Sequence, residues 1–384
     1  MSDRRLRNPL HLRTYVRRFT AVRLKGRVRY NESHIVPYPF KPFDIRLAYL
    51  DDSIQPLFSR PSPQLLGQRF ADNSFFITRD TADKDPEGPP FLLSKLVCDY
   101  DCLSGHARHF PIMLKISEAG LPRNVSSNGQ HVLTGGELTK IIANLSPAAR
   151  EYMTRLGFSN PDSGPETASL IWMHALAIGY SPAYLTENAD GIRQDWPQIP
   201  LPAKKAALLV SATLGREIAA LLDTETPVPG VTASKIRPEL KDVGAIARVD
   251  GRQLNPDAGD FNITAGWGHE GKDGVTMPGK GKLLDNGDSY DVFLNGVAYW
   301  RCVPKPVWEY MIGGYQVIKK WLSYREKTLL GRGLTIEEMR EVTQMIRRLA
   351  AIIALQPRLD KNYSAVRDDP YDFPPHKAIK PASS

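Results

Sequence analysis

Cys98, Cys102, His106 and His109 fall within twelve residues, and four nitrogen and sulfur donors could hold zinc tetrahedrally. The Cys-x3-Cys spacing is loose for a zinc knuckle, however, and Cys98 reads more simply as part of the apolar run closing at Val97. Asp257, Glu270 and Lys272 fit a short metal-dependent nuclease pattern. Two carboxylates would hold magnesium, and the lysine would orient the attacking water. Their setting is glycine-rich rather than a firm strand. Gly274 to Gly281 nearly spells a phosphate-binding loop, but Gly281 stands where the magnesium-holding Ser or Thr belongs. That stretch reads as a flexible glycine loop. No Ser/His/Asp arrangement stands out, and neither a cofactor nor a metal is expected.

The densest mixture of chemistry runs from Val303 to Leu322, with Trp308, Tyr310, Gly313, Gly314, Tyr315, Lys319, Lys320 and Trp321 in one turn and helix. Helical spacing buries its aromatics together, so they read as core rather than as stacking platforms. Its lysines, with Arg325 just beyond and Arg46 and Arg60 far upstream, are the candidate contacts to a polyanion. An alternative role for Arg46 is an ion pair in the neighbourhood of Asp44.

Charge supports that reading. Of the net +8, residues 1–30 hold ten Arg or Lys against one acid, a local +9, which leaves the rest at −1. Such an arm suits nucleic acid. Three cysteines make no disulfide framework and fit a reducing cytoplasm. No apolar run approaches membrane-span length, and no secretory signal opens the chain.

The elements that must position these residues imply an α+β fold. A basic arm (1–34) precedes a β-rich segment (35–115), in which prolines around Tyr38–Arg46 impose an extended path. A helical part (136–225) follows, with helix expected over 137–157 around a break at Ser146-Pro147, and further helices over 166–178 and 203–222. The last segment (226–365) turns to β. It has hairpin signals at Asp250-Gly251 and Asn295-Gly296, the second read as a type I′ turn. Thr335 to Glu338 is a capping box before a long apolar-periodic helix. Residues 366–384, rich in proline, read as a disordered tail.

Several stretches resemble one family, the C-terminal target-specificity region of type ISP restriction–modification enzymes. Tyr38-Pro39-Phe40-Lys41-Pro42-Phe43-Asp44-Ile45-Arg46 is similar to that family's first segment, with Phe40-Lys41 in place of Tyr-Arg. The order continues through Arg60-Pro61, Asn73, Phe110-Pro111, Ser181-Pro182, Pro197 to Leu201 and Asn295 to Val303. It is most specific from Val307 to Leu322. Gly88-Pro89-Pro90-Phe91 also resembles the signature of amino-methyltransferases, but Gly88 has no side chain to accept from a target amine, so it reads as a turn.

The resemblance implies sequence-specific recognition of double-stranded DNA without a catalytic centre in this chain. Lys319, Lys320, Arg325, Arg46 and Arg60 are the expected nucleic-acid contacts. The methyltransferase, helicase-like ATPase and nuclease parts would lie upstream, as a partner polypeptide or an earlier part of the same one. The magnesium nuclease and a scaffold that binds only a methyltransferase are the alternatives.

Overall fold

The computed structural model describes residues 31–50, 63–117 and 139–373. Most of the basic arm, Arg60 and the end of the tail lie outside the described residues. Two strands, β1 (Ile35–Lys41) and β2 (Asp44–Tyr49), form an antiparallel hairpin. Pro42 and Phe43 make its turn. Phe43 lies at φ +62, a left-handed position that a bulky residue adopts only when its surroundings hold it there. β3 (Phe75–Thr78) is the centre of a three-stranded sheet between β4 (Leu92–Ser94) and β5 (Arg108–Pro111), and its four residues are all buried.

β6 (Met113–Ser117) pairs with β7 (Thr139–Ala143). The sequence reading placed helix over 137–145. Instead the edge of β6 captures Thr139–Ala143, whose two isoleucines suit a strand equally well. Helix α1 (Pro147–Arg155) begins at Ser146, whose side chain accepts from the Ala149 N–H. Gly157, at φ +71, ends the turn beyond it.

Helices α2 (Leu170–Gly179) and α3 (Lys205–Leu222) cross where Gly215 lies against the Met173 carbonyl, too close for any side chain. The long C-terminal helix α6 (Ile336–Asp368) carries the expected capping box, with Thr335 and Glu338 each bonding the other's backbone N–H. Its buried Arg348 donates to the carbonyls of Ala220 and Leu221, acceptors left open at the end of α3, and to that of Thr226 in the following loop. Beyond α6 the chain stays in contact with the body. The Tyr371 N–H donates to Leu201, and its ring packs edge-on against Tyr152.

The C-terminal segment holds a four-stranded antiparallel sheet in the order β11 (Leu283–Asp285), β12 (Ser289–Phe293), β13 (Ala298–Pro304), β8 (Ala245–Arg248). Asp250-Gly251 does turn the chain, yet β8 pairs with β13 and not with a following strand. The β12–β13 hairpin forms as expected, but without the left-handed residues of a type I′ turn. The Asn295 side chain accepts from the N–H groups of Val297 and Ala298, and donates to the carbonyls of Asp260 and Asn262. Those side-chain bonds replace the backbone twist. β9 (Gly268–Glu270) and β10 (Thr276–Pro278) form a separate hairpin. One hydrophobic core joins residues from Phe75 through Leu359. No helix among the described residues is long and apolar enough to cross a membrane.

Candidate nucleic-acid interface

After β13 comes a short helix, α4 (Lys305–Trp308), then a two-residue-strand hairpin, β14 (Met311–Ile312) and β15 (Tyr315–Gln316), and then helix α5 (Val317–Ser323). Gly313 and Gly314 form the hairpin's turn at φ +52 and +80, both in the left-handed region. Their N–H groups donate to the carbonyls of Pro89 and Glu87, and Gly313 accepts from the Ser104 N–H. The Gly88-Pro89-Pro90 turn is therefore a docking surface for this second turn. A side chain at Gly314 would meet Ser104 at 2.6 Å and the Lys84 stem at 2.9 Å. Gly314→Ala is expected to cost about 1–3 kcal/mol in denaturant unfolding, from backbone strain before any clash is counted. An unchanged midpoint would show that the turn can relax.

In α5 the residues Val317, Ile318, Trp321 and Leu322 are buried, as helical periodicity requires of a core-facing helix. Trp308 and Tyr310 are buried too, and Trp308 packs on Trp267 at 5.0 Å between ring centroids. These aromatics are core, as the sequence spacing indicated. Tyr315 and Tyr324 differ, since each presents its ring to cations.

Against this helix docks the β1–β2 hairpin. Phe40 meets Tyr324 edge to face at 5.1 Å, and the Arg46 guanidinium lies over both rings, at 4.1 and 4.7 Å. Asp44, fully buried, bonds Arg46 at 2.6 Å and Arg325 at 2.7 Å. The second partner is 281 residues away in sequence. Arg325 in turn stacks on Trp321 at 3.6 Å. The two flanking guanidinium groups hold the Asp44 carboxyl far below the ordinary carboxylate range, against the opposing effect of its burial.

Two buried lysines complete the junction. Lys41 donates to the Asp101 carbonyl and lies over Phe40 and Tyr315, at 4.7 and 4.9 Å. Burial lowers its pKa, while Asp99 works in the other direction. Lys320 is 8% exposed, and among the described residues its ammonium has one polar contact, the Thr276 carbonyl at 3.4 Å. It lies over Tyr324 at 4.8 Å and Tyr315 at 5.6 Å. Burial drives its pKa down to about 8, and the neighbouring Lys41, Lys84 and Arg46 push the same way. The junction thus gathers Lys41, Lys84, Arg46, Lys320 and Arg325 around Asp44, Asp99 and Asp101, and Asp99 is itself pushed toward its neutral form by burial. Surplus positive charge beside aromatic faces is an arrangement suited to an anion.

Three of the five residues singled out from sequence, Arg46, Lys320 and Arg325, gather here, and Arg60 lies outside the described residues. Lys319 is half-buried and bonds no described side chain, while Lys320 faces the junction. Arg46 and Arg325 are spent on Asp44, so their first role is to hold the two segments together. Lys41 and Lys84 were missed. Lys41 sits inside the Tyr38–Arg46 motif, which was the available signal.

The other candidates do not assemble. Cys98 lies 3.1 Å from His109, whose pKa burial lowers to about 4, whereas His106 turns to Asp101 and stacks on Tyr100. Asp257, Glu270 and Lys272 are exposed. No three metal-binding side chains come together among the described residues. The Gly274–Gly281 stretch is not a loose loop: Gly279 and Gly281 pack on Gly266 and the Trp267 ring.

The family model for the Type ISP C-terminal specificity domain matches residues 11–353. Three solved structures share the fold. A nuclease-deletion mutant of the Type ISP restriction-modification enzyme LlaGI, in complex with a DNA substrate mimic, has 15% identity and a TM-score of 0.50, with 88% of this chain and 26% of that one aligned. The ATP-dependent Type ISP enzyme LlaBIII bound to DNA has 12% identity and a TM-score of 0.53, over 88% of this chain and 19% of that one. A DrdV–DNA complex has 16% identity and a TM-score of 0.52, over 90% and 29%. This chain therefore spans between about a fifth and three tenths of their lengths. No curated protein matches its sequence. The match across most of the chain, which includes both the Tyr38–Arg46 and the Val307–Leu322 stretches, places it in the family of Type ISP C-terminal specificity domains.

Proposed function

We propose that this chain recognises a target sequence in double-stranded DNA for a Type ISP restriction–modification system. The methyltransferase, helicase and nuclease work would be done by other polypeptide, outside this chain. The observation that carries this is the junction itself. The family's two most distinctive stretches fold together, and what they build is a cationic, aromatic junction. The DNA held by the three structural relatives agrees with it.

In this reading Lys319, Lys320, Lys41 and Lys84 contact phosphates and set affinity and register, while base edges supply specificity. Arg46 and Arg325 position the surface through Asp44. Four phosphate contacts give a slope of about −3 to −4 for log affinity against log salt. Duplex binding measured by fluorescence anisotropy across a salt series tests this. Affinity independent of salt would overturn the electrostatic part, and binding without any sequence preference would overturn target recognition.

A further inference from the structure

The β9–β10 hairpin has a fixed base and an exposed tip. A side chain at Gly268 would meet the Ser323 carbonyl at 1.9 Å, and one at Gly279 would meet the Gly266 carbonyl at 2.2 Å. Gly281 lies against the Trp267 ring, and Trp267 itself is fully buried, its indole N–H donating to Phe293. The base of the hairpin cannot move without disturbing the core.

The tip is different. Val275, in extended backbone just before β10, is 55% exposed and Met277 is 45% exposed, and residues two apart in an extended chain project to the same face. His269 is paired directly across from Met277. Lys272 and Lys280, both exposed, flank the pair in sequence. An apolar pair held out in water on a rigid ribbon contributes nothing to folding. Glu270 and Asp273 offset these two lysines in sequence, so what favours a nucleic-acid occupant is the packing of β10 against α5, which carries Lys320. The Thr276 carbonyl, between the two apolar residues, accepts from Lys320, so the hairpin abuts the cationic junction.

We infer that this hairpin is the element that enters the DNA major groove, with Val275 and Met277 in contact with a thymine methyl group. The inference rests on the DNA reading above and names the site within it. A two-stranded ribbon fits the width of the major groove, and the thymine methyl is the apolar feature displayed there. With Lys320 on a phosphate, Thr276 would lie at the groove's edge and the tip would point inward.

The test uses the whole chain. Its preferred duplex is selected from a random pool, and each thymine is then replaced by deoxyuridine, which lacks only the methyl. Wild-type protein should lose about fourfold in affinity at one or two positions, the value of a single buried methyl. The double variant Val275→Ser with Met277→Ser should show no such loss and should select a broader set of sites. Its binding to random duplex, its salt slope and its melting temperature should be unchanged, because the lysines remain and both side chains are exposed. Four outcomes would overturn the inference: a wild-type profile flat to deoxyuridine, a variant that keeps the wild-type profile, a variant altered only in self-association, or one that gains rather than loses selectivity. Failure of the wild type to bind any duplex would instead remove the DNA reading as a whole.

Discussion

Asp44→Ala is expected to lower the unfolding free energy by about 3–5 kcal/mol, the usual cost of removing one partner from a buried ion pair. Asp44 is fully buried between Arg46 and Arg325, and Arg325 is itself buried. Without the carboxylate, the Arg325 guanidinium keeps the Trp321 ring and carbonyl, and Glu338 further off, as partners among the described residues. The β1–β2 turn adds to the loss, because Phe43 at φ +62 sits next to the residue that pins it. Urea unfolding followed by tryptophan fluorescence measures this. A loss under about 1 kcal/mol would mean that Arg325 escapes to water.

The same pair predicts a pH dependence. The native carboxyl has a depressed pKa, so its stabilisation is complete above the unfolded value of about 4. It is lost as pH falls below that value toward the native one. Wild-type stability should therefore fall on acidification over a range in which Asp44→Ala shows a shallower decline. Duplex binding by the variant should weaken as well, because the hairpin that carries Lys41 is no longer fastened to α5.

Lys320→Met is expected to separate stability from binding. The ammonium is buried with no carboxylate among the described residues bonded to it, and its pKa is pulled down to about 8. Methionine fills the same space without the desolvation cost, so stability at neutral pH should rise on the order of 1 kcal/mol, after discounting for solvent screening. Binding to every duplex should weaken to a similar degree, and the salt slope should shrink by about 1.

The sign of the pH effect follows from the lowered native pKa. Between about 8 and the unfolded value near 10.4, the unfolded chain binds the proton and the native chain does not. Wild-type stability gains from this group as pH rises through that window, and the variant lacks the gain. Affinity of the wild type for duplex should fall over the same window as the ammonium is lost. A variant that is less stable than wild type would show that Lys320 is a structural cation, and one with a changed site preference would show that it reads bases.

Much of the local structure was legible in the sequence. Ser146 before Pro147, the Thr335–Glu338 box and the apolar β3 run each specify an element through interactions within a few residues. The Asn295 turn shows where such reading stops. Its position was correct, but side-chain bonds to Asp260 and Asn262 set its geometry, and these come from a loop some thirty residues earlier. Thr139–Ala143 became strand for the same kind of reason, because β6 offered an unpaired edge.

For the interface, the sequence by itself determined that α5 would turn Trp321 inward, since helical periodicity is a local property. It left Lys320 and Arg325 as equivalent cations. Only the tertiary structure distinguished them. Asp44 reaches Arg325 across 281 residues and neutralises it, whereas the Lys320 ammonium is buried beside other cations and bonds no carboxylate among the described residues. Whether a cation is free to take a ligand depends on which opposite charge lies within a few ångströms, and in this chain that is settled by the docking of β1–β2 on α5.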